Sequence, residues 1–497
     1  MVIRKRHTAN RLSSPKPTSG MKLVFLNPPS INSRYINRDL MGGLGVTNVS
    51  NDGVSQRLMS FLKARSIRLP VMSLAYSATI ASRDHDVSVV DAANLSLSME
   101  EAIRRIESLK PDWVISTTSI SAVMAEAEMV AGLKKRLGCT VGLLGDAATQ
   151  MANRVFERSD IDFVVRGDEP ELVIKTILEQ GTYRDLPGTI YRENGTLRDG
   201  GDPGYIADLD TLPFPRWDLF PIASYRYFPI LRRAPFVTML STRGCPYGCV
   251  YCPYTSNQGQ KYRLRSAGNV VDELSLLKEN YGIRAVQFRD PTFTINRDRT
   301  ADICRGMVER DLRLEWGCET RVDCLTEELV DTMVGAGLKG VNIGIESTDP
   351  NVIRNVKRGW IDPARIERIV RHMRACGVRV SGFFIIGLPG ETLEAVKRTL
   401  DFALSIELSY AEFKIATPYP GTPLFEMAQT KKWIETIELE QYTSYTPTMR
   451  IPGGPSPEAL SEMAKDAYRK FYMRPGKVLG EIADSTFLPN LTKIVLS

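Results

Sequence analysis

Histidine is almost missing from this sequence. Its 497 residues hold three, His7, His85 and His372. A closed zinc site that needs histidines beside cysteines therefore has few partners to draw on. Long apolar runs are missing too. No stretch reaches the 18 or more uninterrupted apolar residues of a membrane span, and residues 1–20 lack the apolar core of a secretory signal. Charge excess is small, and most of it is local. The net charge is +6, and Arg4, Lys5, Arg6, Arg11 and Lys16, with no acid among residues 1–20, supply five of those charges. The rest is nearly neutral, which excludes a nucleic-acid-coating surface. Residues 1–20 read as a disordered basic tail, and Met21 is a candidate start. There is no DNA-binding pattern and no acidic tail through which a sensor would signal. Five of the eight cysteines (Cys139, Cys304, Cys318, Cys324 and Cys376) are scattered, without the spacing of a secreted disulfide framework. Reduced thiols fit a cytoplasmic location.

The composition is globular, with 43% hydrophobic and 25% charged residues. A chain this long exceeds one ordinary core and implies two or three domains. Strands at 22–26, 87–90, 113–116, 140–144 and 163–165 alternate with helices at 70–83, 99–109, 122–137 and 170–180. Residues 31–60, rich in Gly, Asn and Ser, read as irregular. Buried strands alternating with helices predict a parallel, doubly wound α/β sheet over residues 21–180. Ligands on such sheets sit beyond the carboxyl ends of the strands, so loops 27–30, 117–120, 145–148 and 166–169 are the candidate contacts. His85 falls in a turn and reads as a solvated residue. Residues 181–234 hold short strands and a proline-rich linker in which Trp217 and Phe220 staple domains together. A second βα series covers 235–436, with strands at 236–241, 283–288, 313–316, 340–345, 379–386 and 411–416. Residues 437–497 form a C-terminal extension.

The first strand of that second series leads into Thr242–Tyr254, TRGCPYGCVYCPY. Cys245, Cys249 and Cys252 stand there at C-x3-C-x2-C spacing, with Tyr251 before the last. Three thiolates on one tight loop can hold three irons of a 4Fe–4S cube. The fourth iron is then free to bind a small molecule. A structural zinc site is the competing reading, though it normally needs a fourth ligand. A disulfide with a spare thiol is a further alternative.

This motif, with its aromatic before the third cysteine, resembles the signature of the radical SAM superfamily. The segments FLNPPS, VVDAAN and DFVVRGDEPE resemble the branch with an N-terminal cobalamin-binding domain, and FYMRP near the end does so too. The resemblance spans about residues 21–475. It implies a Rossmann-like cobalamin-binding domain, a partial (β/α)6 TIM-type barrel and a small C-terminal extension, whose aromatics Tyr442, Tyr445, Phe471 and Tyr472 either close the barrel's open side toward substrate or simply pack. It implies a 4Fe–4S cluster on Cys245, Cys249 and Cys252, whose open iron binds S-adenosylmethionine (SAM). One electron then yields a 5′-deoxyadenosyl radical. Around SAM the resemblance implies Tyr251, Asp290 toward the amine, and Arg321 toward the carboxylate, although a barrel salt bridge would equally explain that arginine. Gly344, Glu346 and Ser347 resemble the family's GxES segment, and Ile386 would face the adenine. Glu391 reads as the start of a helix, where a carboxylate suits the dipole. For cobalamin it implies Asn27, Pro28, Ser119, Gly145, Gly167 and Glu169. The D-x-H-x-x-G string of histidine-ligated cobalamin proteins is absent. Where the branch often has a G-G-x-H-like loop, this chain has Gly145-Asp146-Ala147-Ala148. A sheet domain that binds no corrin therefore stays open.

The expected activity is C-methylation of an unactivated carbon. Radical cyclisation or oxidation without methyl transfer is the alternative, and a cluster-based sensor a third reading. Expected partners are a small-molecule or lipid substrate and a reductant such as flavodoxin or ferredoxin. A lipid substrate would bring the protein to the membrane periphery.

Overall fold

The computed structural model describes residues 20–30, 36–38, 46–47, 66–167 and 169–474. The readings for residues 1–19, for most of 31–60 and for 475–497 fall outside the described residues. The N-terminal unit runs β1 (Lys22–Asn27), α1 (Met72–Ala81), β2 (Asp86–Asp91), α2 (Met99–Leu109), β3 (Trp113–Thr117), α3 (Val123–Leu137), β4 (Thr140–Leu144), β5 (Phe163–Val165), α4 (Pro170–Gln180), β6 (Thr189–Glu193) and β7 (Thr196–Asp199). Its sheet has the order β7-β6-β5-β4-β3-β1-β2. The first five strands are parallel, and β6 and β7 add an antiparallel hairpin at one edge. The parallel core order 2-1-3-4-5 is that of flavodoxin-like sheets, whose ligand crevice opens between β1 and β3. These strands are buried runs such as WVIST because helices cover both faces. Ser98 starts α2 through a capping box with Glu101. His85 lies in the turn after α1, where its Nδ1 accepts from the Met21 amide at 3.2 Å.

The second unit runs β8 (Phe236–Met239), α5 (Ala267–Tyr281), β9 (Ala285–Phe288), α6 (Arg297–Glu309), β10 (Glu315–Arg321), α7 (Glu327–Gly335), β11 (Leu338–Glu346), α8 (Pro363–Ala375), β12 (Arg379–Ile386), α9 (Leu393–Ser405) and β13 (Tyr410–Ile415). The six strands pair in chain order, all parallel, and β13 does not return to β8. This is a partial βα barrel. Its sequence-predicted third strand was too short: β10 continues to Arg321, so Glu319 and Arg321 sit in the strand rather than beyond it.

Helix α10 (Pro457–Tyr472) covers the outer edge of β13. The Phe413 amide donates to the Tyr468 hydroxyl at 3.0 Å. The Ala411 amide donates to the Tyr472 hydroxyl at 3.1 Å, and that hydroxyl returns a bond to the Ala411 carbonyl at 2.9 Å. A strand edge that would otherwise stay open is thereby satisfied.

One apolar core runs from one face of the first sheet, through Trp217, Phe220 and Tyr225, into the barrel. Trp217 is fully buried and meets Phe220 edge-on at 5.6 Å. The other face of the first sheet has its own core, which recruits Tyr419 and Tyr442 from beyond the last barrel strand.

Candidate iron–sulfur and cofactor site

Chemistry in βα barrels gathers at the carboxyl ends of the strands, and the cysteine loop follows β8. Gly244 opens the loop at φ +77°. A Cβ there would collide with the Lys261 carbonyl, so glycine is required. The loop is then pinned along its length. Cys245 N donates to Gly259 O at 3.1 Å, and Cys252 N to Cys249 O at 3.1 Å. Val250 bridges to both sides, donating to Val356 O at 3.1 Å and accepting from Leu424 N at 2.9 Å.

Cys245 and Cys249 are buried and Cys252 half-buried. Burial, with the neighbouring Cys249 and Cys245 adding to it, pushes the Cys252 thiol up to about 12. The three are thus close enough to resist each other's ionisation. Three thiols on one loop fit a polynuclear iron–sulfur core, whose positive charge would offset the cost of three thiolates.

Two arginines flank the loop. Arg321 pairs with Asp323, its Nε at 2.9 Å and Nη2 at 2.6 Å, and lies 4.0 Å over the Tyr247 ring. Its Nη1 is buried without a hydrogen-bond partner. The residue is thus both a barrel salt bridge and an unspent donor; burial pushes the Cys245 thiol up, and the Arg321 charge offsets part of that rise. Arg358 is the second. Its Nη2 donates to Gly344 O at 2.7 Å and its Nη1 to the Tyr251 hydroxyl at 3.4 Å, beside Glu346 at 3.5 Å. Glu346 itself takes the left-handed conformation, φ +67°. Tyr251, Gly344 and Glu346 therefore meet around one guanidinium. Sequence reasoning missed Arg358, which lies about a hundred residues from the loop and belongs to no motif.

Other expected SAM neighbours sit further back. Asp290 is fully buried and accepts from the Ser241 amide at 3.0 Å and hydroxyl at 3.1 Å, leaving Oδ2 unpaired. Burial pushes its carboxyl up. Ser347 Oγ donates to Glu391 at 3.2 Å. Glu391 does not begin a helix: Thr392 caps α9. Instead Glu391 accepts from the Gly387 amide at 2.6 Å and the Leu388 amide at 3.1 Å, closing the loop after β12. Burial raises it to about 7. Ile386 is fully buried in the core shared with the covering helices, whereas half-buried Ile385 packs with Val250 and Tyr251. Side chains alternate across a strand, so Ile385, and not Ile386, is on the side of the cysteine loop.

At the sheet's crevice, Asn27, Pro28 and Ser119 come together around Arg38 and Glu126. Arg38 donates to Asn27 Oδ1 at 3.0 Å, Pro28 O at 2.8 Å and Glu126 at 2.6 Å. Ser119 binds the same carboxylate through its amide at 2.7 Å and its hydroxyl at 2.8 Å. The polar groups of Asn27 and Ser119 are thus already spent on protein. Arg38, inside the irregular segment, carried no sequence signal. Gly145, φ +113°, precedes Asp146, which burial raises to about 6 and whose Oδ2 is unpaired. That orphaned oxygen, at the end of β4, suits a hydrogen-bond donor such as a corrin amide. Gly167 is half-buried.

Glu169 faces the barrel instead. With Glu171 it grips Arg243, two residues before Cys245, and its Oε1 also pairs with Arg263 at 2.7 Å. All four side chains are at most 7% exposed. The cluster loop is thus clamped to the start of α4, just after β5. The adjacency of Arg243 to the cysteine motif, and of Glu169 to Glu171, was the available signal.

A partial βα barrel that presents three cysteines beyond its first strand, docked on a flavodoxin-like sheet, defines the fold of an iron–sulfur enzyme. Residues 239–403 match the radical SAM superfamily profile. The chain is 33% identical over 420 residues to the uncharacterized methyltransferase PH0819 of Pyrococcus horikoshii, covering 83% of this chain and 90% of that protein. It is 27% identical over 402 residues to the anaerobic magnesium-protoporphyrin IX monomethyl ester cyclase of Cereibacter sphaeroides, covering 78% of this chain and 64% of that protein. Its fold matches the radical SAM methyltransferase TsrM of Kitasatospora setae, solved with cobalamin and a [4Fe-4S] cluster. The TM-score there is 0.65 at 17% identity, covering 92% and 90% of the two chains. The chain belongs to the radical SAM superfamily, whose enzymes use SAM and a 4Fe–4S cluster.

Proposed function

We propose that this protein is a cobalamin-dependent C-methyltransferase that acts on an unactivated carbon in a biosynthetic pathway. The observation that carries this reading is the clamp of Arg243 and Arg263 on Glu169 and Glu171. It turns the carboxyl ends of the sheet, where a corrin would lie, toward the cysteine loop. Similarity to the PH0819 methyltransferase supports the same reading, as does the fold shared with TsrM. When bound, the cluster with SAM supplies a 5′-deoxyadenosyl radical and cobalamin a transferable methyl group.

The protein's own share is positioning and shielding. Cys245, Cys249 and Cys252 would hold the irons, and Arg321 Nη1, buried without a protein partner, would take the SAM carboxylate. Tyr251, Gly344, Glu346 and Ile385 line the nucleoside side, with Ser347 and Asp290 fixing loops behind them. Asn27, Pro28, Ser119, Gly145 and Gly167 shape the corrin crevice, while Glu169 holds the barrel against it. Substrate enters the barrel lumen, where Glu412 accepts from the Tyr445 hydroxyl at 2.7 Å and Lys414 stands 5.5 Å from the Phe383 ring. A flavodoxin or ferredoxin supplies electrons in the cytoplasm. Among the described residues no helix is long and apolar enough to cross a membrane.

The test is anaerobic incubation of the reconstituted, cobalamin-loaded protein with extract from cells lacking the gene. S-adenosylhomocysteine, 5′-deoxyadenosine and a product heavier by one methyl are expected. Deoxyadenosine without methyl transfer would favour radical cyclisation or oxidation, the reading that the likeness to the cyclase supports. Absence of both would end the two together.

A further inference from the structure

On the barrel's outer wall, away from the cysteine loop, three ligand-type side chains converge. Asp331 belongs to α7, His372 to the last turn of α8, and Cys376 caps α8. The Cys376 amide donates to the His372 carbonyl at 3.1 Å, so the two residues stand one helical turn apart on the same face. Asp331 Oδ1 lies 2.7 Å from His372 Nε2 and 3.7 Å from Cys376 Sγ, and the sulfur lies 3.9 Å from Nε2. Among the described residues this is the one trio of His, Cys, Asp or Glu whose ligand atoms all fall within 4.8 Å. The mechanism uses none of the three.

We propose that Asp331, His372 and Cys376 form a zinc site that ties α7 to α8. Zinc bonds of about 2.0 Å to oxygen and nitrogen and about 2.3 Å to sulfur give tetrahedral edges of about 3.3–3.6 Å. The two sulfur edges need to close by a few tenths of an ångström. The Asp331–His372 edge must open by about 0.6 Å, as the shared proton leaves. An oxygen, an imidazole nitrogen and a thiolate suit a borderline-soft cation, whereas magnesium and calcium prefer oxygen alone. Asp331 is exposed and the other two half-buried, so ion and water can reach the fourth position. Binding displaces the Cys376 thiol proton to solvent, the proton between His372 Nε2 and Asp331 moves to His372 Nδ1, and no electrons move.

The test uses the full chain with its iron–sulfur cluster in place, stripped of loose metal and titrated anaerobically with zinc chloride. One zinc per chain is expected. X-ray absorption at the zinc edge should show one sulfur near 2.3 Å and light atoms near 2.0 Å. His372→Ala and Cys376→Ser should each weaken binding about tenfold or more, with iron content unchanged. Three sulfurs around zinc would place it on the cluster cysteines and overturn the proposal. So would equal binding by the His372→Ala/Cys376→Ser double variant, or no saturable binding below about 1 mM. Cys376 packs partly against the main core, so Cys376→Ser keeps its size, and an unchanged far-UV circular dichroism spectrum together with unchanged iron content shows that each variant is folded.

Discussion

Gly244 shows how much of the cluster site hangs on one backbone conformation. At φ +77° with the Lys261 carbonyl against its α-carbon, it admits no side chain. Gly244→Ala is expected to leave far-UV circular dichroism intact while lowering cluster iron several-fold, because only the cysteine loop must move. Glu391 offers a pH signature. Its carboxyl sits at about 7 in the fold, above its ordinary 4.5, because burial disfavours the charge. The folded chain keeps a proton there that the unfolded chain releases. Its contribution to stability is therefore complete below about pH 4.5, declines as pH rises to about 7 and is flat above, a total on the order of 3 kcal/mol. Denaturant titrations of Glu391→Gln should lack that part of the wild-type pH slope; identical slopes would refute it. At this scale the cysteines were legible because their spacing is local. Ile385 and Arg358 were not. One depended on which way a strand's alternation ran, the other on a contact across about a hundred residues of chain.

Among the elements, α10 does for the barrel what a closing strand would do. Tyr468 and Tyr472 supply the partners that β13 lacks on its outer edge. Tyr472→Phe is expected to cost about 1–2 kcal/mol in urea unfolding, since it strands the Ala411 amide and carbonyl. Amide exchange at Ala411 should speed up accordingly. The strands themselves were readable from the sequence, since buried runs flanked by helical periodicity leave little ambiguity. Residues 379–386, 140–144 and 163–165 matched at both ends. The end of β10 was misplaced because Glu319 and Arg321 look like loop residues. They stay in the strand because they point into the lumen, where Arg289 and Asp323 neutralise them.

For the whole molecule, the joint between sheet and barrel is charged at its centre. Arg243→Ala would leave Glu169 and Glu171 buried with only Arg263 nearby. The expected loss is about 3–5 kcal/mol in denaturant unfolding. Adding Glu169→Gln and Glu171→Gln should return part of it, because the uncompensated charge goes. A failure of the triple variant to recover would show that packing, and not charge, holds the joint. The two-unit architecture was visible in the alternation of elements, but the joint was not. Its partners lie some seventy residues apart in sequence, and each segment alone resembles an ordinary loop.

The joint also limits how such a protein can be rearranged. A gene cut at the proline-rich connection would give a C-terminal half carrying two bare guanidinium groups on a surface meant to be dry. The N-terminal half would carry two matching carboxylates. Neither half would keep its native face in water, so a new front end grafted onto this barrel must bring its own acidic pair. The pair Glu169 and Glu171 is in that sense the password by which one half admits the other.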